Sequence, residues 1–220
     1  LENLNDAPRL RSGIHDSEED NAAWNRVKER MYAICEVATE KGVGVLIDAE
    51  ETWIQDPIDR LAIELMSIYN KEKVVVYNTY QLYRHDRLRF LQMSHSIAKD
   101  KQFLLGAKLV RGAYMEKERA RAQALGYPSP IQPDKPSTDK DYDAALDFLV
   151  SNKAVFSICA GTHNESSSMY LASLLQEAQI PADSKQFYFA QLLGMSDHIS
   201  YNLSDAGYQV AKYVPFGPVQ

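Results

Sequence analysis

Six short segments rich in β-branched and aromatic residues recur along the chain, at 43–51, 74–83, 104–114, 155–163, 187–195 and 208–217, with helix-like stretches between them. Their runs are mostly apolar on both sides instead of alternating, the pattern of a parallel sheet covered by helices. The stretch 57–69 carries Ile58, Leu61, Ala62, Leu65, Met66 and Ile68 near the spacing of one buried helix face. Stretches 142–149 and 166–178 repeat that pattern, and 84–98 repeats it more weakly. Nearly every strand-like segment ends in polar chemistry: Asp48-Ala49-Glu50-Glu51, Asn78-Thr79-Tyr80-Gln81, Arg111-Gly112-Ala113-Tyr114 and Gly161-Thr162-His163-Asn164. In a (β/α)8 barrel all strand carboxyl ends converge on one face, whereas an open doubly wound sheet gathers its ligands at one switch point. The pattern therefore predicts an α/β chain of the (β/α)8 TIM-barrel type.

A complete barrel has eight strands in about 250 residues, so six strand candidates predict an incomplete one, with the first and last strands missing. On this reading 1–220 is one partial barrel domain, and 1–20 is a polar lead-in to a helix over 21–41. The stretch 126–140 holds four prolines and no apolar periodicity, which predicts a long loop on the catalytic side of the third strand, of the kind that is a lid or disordered.

With 45% hydrophobic and 25% charged residues, 220 residues suffice for one sizeable core. Apolar runs such as 74–76 are far shorter than the roughly 20 residues of a spanning helix. The net charge of −6, with basic residues scattered among acidic ones, argues against nucleic acid as a partner. Cys35 and Cys159 stand in no CxxC or Cys/His ligand spacing, which fits a reducing compartment. The five histidines are scattered and no HExxH occurs, so no metal site is expected. GxGxxG, the P-loop and the nucleophile elbow are absent as well. The chain starts at Leu1, and its first residues have neither a signal-peptide core nor transit-peptide character.

Three groups of residues invite chemistry. Asp48, Glu50 and Glu51 end a buried strand, where a carboxylate needs a cation or a donor; Glu50 and Glu51 could instead cap the following helix. Lys108 lies inside the run 108–114 and shares a strand face with Val110, opposite Leu109 and Arg111. Pointed into a barrel mouth, it requires a carboxylate or an anionic ligand, and Asp48 is the expected partner within ion-pair reach. His163 follows an apolar strand as a candidate donor to a phosphate or flavin edge, and Asn164 is placed to cap the next helix.

At these residues the chain resembles the proline dehydrogenase family. The segments are IDAEE at 47–51, YNTYQLY at 77–83, GAKLVRGAYMEKERA at 106–120, AGTHNE at 160–165, FAQLLGM at 189–195 and YVPFGP at 213–218, in the same order and with similar spacing. The resemblance implies a distorted (β/α)8 barrel that holds FAD at its strand ends and oxidises L-proline to Δ1-pyrroline-5-carboxylate. It implies Asp48 and Lys108 as the catalytic pair, Lys108 lying beside the flavin N5 region. For cofactor binding it implies Ala49, Gln81, Val110, Arg111, Gly112, Ala113, Thr162, His163 and Asn164, and for the wall around the proline ring Tyr114, Leu192 and Tyr213. Many bacterial members read RLVKGAY where this chain reads KLVRGAY, a pattern similar to the eukaryotic-like branch. The exchange keeps the charge, but Lys108 lacks the bidentate fork of an arginine. The family's paired arginines and first-strand lysine, which bind the substrate carboxylate, have no counterpart in the stretch read here, so its own residues are expected to hold proline poorly.

The resemblance further implies a quinone as electron acceptor and peripheral association with a membrane. The location expected from it is the bacterial cytoplasm at the inner membrane, the alternative being the matrix side of the mitochondrial inner membrane. Rival readings are hydroxyproline dehydrogenase, a barrel remnant serving only in assembly, and a flavin-free barrel enzyme acting on a phosphorylated substrate. The absence of a late Gly-rich phosphate loop argues against the last.

Overall fold

The computed structural model describes residues 18–217. Six parallel strands, β1 (Val45–Ile47), β2 (Val76–Gln81), β3 (Leu105–Val110), β4 (Phe156–Gly161), β5 (Phe187–Leu192) and β6 (Gln209–Tyr213), pair in sequential order. The helices are α1 (Glu18–Lys41), α2 (Thr52–Tyr69), α3 (Arg87–Lys101), α4 (Met115–Leu125), α5 (Lys135–Ser151), α6 (Glu165–Glu177) and α7 (Asp197–Asp205). Parallel neighbours joined by helical crossovers of one hand wind the sheet around an axis. β1 and β6 are not paired with each other among the described residues, yet the Tyr213 hydroxyl at the end of β6 comes within 3.4 Å of Asp48 just past β1. The sheet is therefore curled, with its strand ends facing one another across a mouth.

Strand alternation sorts the residues. Leu105, Ala107 and Leu109 of β3, Phe156, Ile158 and Ala160 of β4, and Phe187 and Phe189 of β5 are buried beneath the helices. Burying side chains of this size is worth roughly 1.5–3 kcal/mol each. α2 covers the sheet with Leu61, Ala62, Leu65 and Met66, as its spacing predicts. Ile58 packs instead on a small separate cluster of Trp53 and Ile54, and Ile68 is exposed. A bidentate ion pair lies beneath this layer. Arg87 reaches Asp59 at 2.8 and 2.9 Å, while Gln55 and Asn78 donate to the same carboxylate at 3.0 and 2.9 Å. Burial works against the Arg87 charge, but Asp59 outweighs it and holds the guanidinium above its ordinary value.

The proline-rich stretch departs from expectation. α5 begins at Lys135, with Asp134 Oδ1 accepting from Ser137 N at 2.8 Å and a proline in the first turn, so the loop shrinks to 126–134. That loop is docked and does not form a lid: Gln132 N donates to Tyr83 O at 2.8 Å, and Ile131 pairs with Arg84 in an antiparallel bridge. Local cap chemistry outweighed the proline count. α4 and α7 carry no apolar periodicity long enough to announce them; α4 buries only Glu118 and Ala122.

Candidate active site

Lys108 stands on the inward face of β3, in register with Thr79 and Cys159. A lysine there reaches water poorly and needs an anion. Its Nζ donates to Asp48 Oδ1 at 2.5 Å and lies 5.2 Å from the centre of the Tyr213 ring. The lysine side chain is 12% exposed and the aspartate 45%, so the pair opens towards the mouth. Three strand ends, of β1, β3 and β6, thus converge on one cation. Burial pushes the neighbouring Cys159 thiol up to about 11, keeping it neutral beneath the pair.

Arg111 turns to the other side. Its Nε donates to Asp139 at 2.9 Å, Nη1 to Thr162 Oγ1 at 2.7 Å and Nη2 to Ser167 Oγ at 2.6 Å, while the guanidinium lies 3.8 Å from the centre of the Tyr142 ring. Burial acts to raise the Asp139 carboxyl, but Lys135 and Arg111 hold it below its ordinary value. Thr162 Oγ1 also accepts from Asn164 N at 3.1 Å, and Asn164 caps α6 by accepting from Ser167 N. His163 extends to the rim, its Nδ1 3.0 Å from Ser196 Oγ; burial first and Lys212 second depress its imidazole. Asp139 and Ser167 gave no sequence signal, because Arg111 finds them only through tertiary packing.

The acidic turn after β1 is tied down residue by residue. Gln81 Nε2 donates to Glu50 O at 2.7 Å and to the Tyr83 hydroxyl at 2.8 Å, so a cofactor bond from this amide requires releasing one of them. Tyr114 donates to Glu50 Oε2 at 2.7 Å, and burial together with that carboxylate pushes its phenol up. Lys117 pairs with Glu51. Glu51 occupies the N-cap of α2 without a capping bond from its side chain; the buried Glu118 instead accepts from Thr52 N at 2.6 Å and Thr52 Oγ1 at 2.8 Å. Ala49 lies in this turn. Gly112 and Ala113 are exposed where the chain passes from β3 to α4.

Above Lys108 the inward layer runs in register through Gln81, Val110, Gly161, Ala190 and Ala211. A Cβ at Gly161 would stand 2.9 Å from Leu109 O and 4.0 Å from Lys108 Cε, so this position has no room for one. The three small residues form a low step beside the lysine. Leu192 (43% exposed) and Tyr213 (47%) follow it at the rim as open apolar surface. The arrangement presents a flat shelf, one fixed cation and an apolar wall.

The family profile described as proline dehydrogenase matches residues 3–220. The chain belongs to the proline dehydrogenase family. It is 38% identical over 206 residues to mitochondrial proline dehydrogenase 1 of Homo sapiens, covering 92% of this chain and 34% of that protein. To the hydroxyproline dehydrogenase of Xenopus laevis it is 36% identical over 207 residues, covering 92% and 44%. The chain spans 34%, about a third, of the length of its human proline dehydrogenase relative. Proline utilization A from Bdellovibrio bacteriovorus, inactivated by N-propargylglycine, matches with a TM-score of 0.83 at 23% identity, over 90% of this chain and 21% of that one. This likeness bears on the fold: the curled six-stranded sheet is a proline dehydrogenase-type barrel arrangement.

Proposed function

We propose that this chain forms the catalytic barrel of an enzyme that oxidises L-proline to Δ1-pyrroline-5-carboxylate with FAD. The observation that carries the reading is the Lys108–Asp48–Tyr213 cluster at the strand ends, beside the low step of Gly161, Ala190 and Ala211. A planar ring system fits such a step because no side chain rises from it, and a fixed cation beside it suits a group that gains negative charge on reduction. FAD, when bound, supplies the acceptor for hydride from the carbon next to the substrate nitrogen.

The chain's own residues then have distinct tasks. Lys108 holds positive charge at the shelf, where pre-oriented charge is most effective in a partly dry site. Asp48 fixes that ammonium in direction. Tyr114, Leu192 and Tyr213 form the wall that keeps water from the substrate ring. Gln81, Val110, Gly112, Ala113, Thr162, His163 and Asn164 supply the edge against which the cofactor lies, and Arg111 serves it by holding Thr162. Electrons pass onward to a quinone, with the protein peripheral to a membrane; no helix among the described residues is long and apolar enough to cross one. A mitochondrial inner membrane suits the relatives' names, which say mitochondrial of those proteins.

The test is anaerobic titration of the full-length protein, followed by flavin absorbance. Bleaching by L-proline is expected. A yellow protein bleached by hydroxyproline and not by proline would move the reading to that substrate, and a colourless, FAD-indifferent protein would overturn it.

A further inference from the structure

We infer that Glu118 is a positioning residue for Asp48 and, through it, for Lys108. α4 lacks an apolar docking face, yet Tyr114 at its N-cap and Lys117, Glu118 and Arg121 within it follow the spacing of one helical stripe. That stripe reads four consecutive residues after Ala49, two in the turn and two in the first turn of α2. Tyr114 holds Glu50, Lys117 holds Glu51, Glu118 holds Thr52, and Arg121 lies 4.3 Å from the centre of the Trp53 ring. Glu118 is the most buried of the four at 1% exposure. Its carboxylate sits at the start of α2, where backbone N–H groups lack partners and the helix favours negative charge. It caps in trans a helix whose own N-cap side chain does not. On the other flank, Ile47 is pinned in register with Asn78. The five residues from Asp48 to Thr52 are thus held at both ends, and the carboxylate at their head is aimed at Lys108.

The inference rests on the proposed function only for its kinetic consequence; the test reads geometry first. In the full-length holoenzyme, Glu118→Gln turns one acceptor into a donor, Thr52→Val removes one donor, and Thr52→Ser keeps both donors. Brief acetic anhydride labelling, followed by mass spectrometry, compares Lys108 with the exposed Lys71 and Lys153 beyond the opposite ends of the strands. Labelling of Lys108 relative to those two should rise at least about threefold in Glu118→Gln and Thr52→Val, the low end of coupling within one hydrogen-bond network. It should stay at the parent level in Thr52→Ser, and the double variant should add little to either single one. A fall in kcat larger than the change in KM should accompany it. A lowered melting temperature with Lys108 labelling unchanged, or labelling raised equally at all three lysines, would reduce Glu118 to a helix-docking residue. These outcomes stand whether or not proline proves to be the substrate; should Glu118→Gln not fold, Thr52→Val carries the test.

Discussion

Lys108 and Arg111 are three residues apart near the end of one strand, and the barrel uses them in opposite ways. Lys108 points inward to a half-exposed carboxylate and the face of a tyrosine at an open mouth. Arg111 points outward, and its fork is spread over the end of β4, α5 and α6, donating to Thr162, Asp139 and Ser167. The difference follows from their shapes. A compact ammonium delivers charge to a point, whereas a planar guanidinium locks several elements at once. Exchanging the two keeps the net charge but puts a fork at the mouth and a point charge where three acceptors now share one guanidinium.

The largest expected effect breaks the arginine side. Arg111→Ala removes three donated hydrogen bonds, to Asp139, Thr162 and Ser167, and should lower stability by about 3 kcal/mol in urea unfolding, since hydrogen bonds to charged groups are worth roughly 1.5–3 kcal/mol each before relaxation. Arg111→Lys restores charge without the fork and should recover only part of the loss. Equal stability of the lysine variant and the parent would show that charge alone matters there.

Lys108→Met tests the other arm. In the full-length enzyme it should slow flavin reduction by proline about 100-fold, the scale of losing one pre-oriented charge donor, while proline binding changes far less. Its stability should move little, because Asp48, the charge left without its partner, is half exposed to water. A pure KM effect would show that Lys108 grips substrate and does not stabilise charge.

The smallest effect sharpens the comparison through pH. The Asp139 carboxyl is held below its ordinary value in the fold, so its contribution is complete above the usual carboxylate range and is lost as pH falls below that range, through the depressed folded value. Asp139→Asn should therefore cost about 1 kcal/mol near neutrality, and the gap to the parent should close as pH falls below the usual carboxylate range, read as urea midpoints across the series. A gap that stays constant with pH would mean that Arg111 draws its support from Ser167 and the Tyr142 ring instead.

Much of this contrast was legible in the chain. Strand alternation puts Lys108 and Arg111 on opposite faces, and a cation inside an apolar run calls for an anion, which the acidic turn supplies. Asn164 reads as a cap and is one. The loop 126–134, the early start of α5 and the existence of α4 were not legible in that way. Proline count suggested a longer excursion than Asp134 permits, and α4 docks by a polar stripe that no hydrophobic period reveals.

By itself the sequence determined the order of strands, the parallel sheet, the inward lysine and the polar strand ends, because each follows from periodicities of two and 3.6 residues and from the cost of burying charge. Only the tertiary structure decided that Arg111 would spend its donors away from the mouth, that Glu118 would cap a helix 66 positions away in sequence, and that Asp48 and Tyr213 would meet across the curl. Those contacts depend on how the sheet curls and the helices dock. Sheet curvature is a property of all the strands together, and no local window of residues contains it.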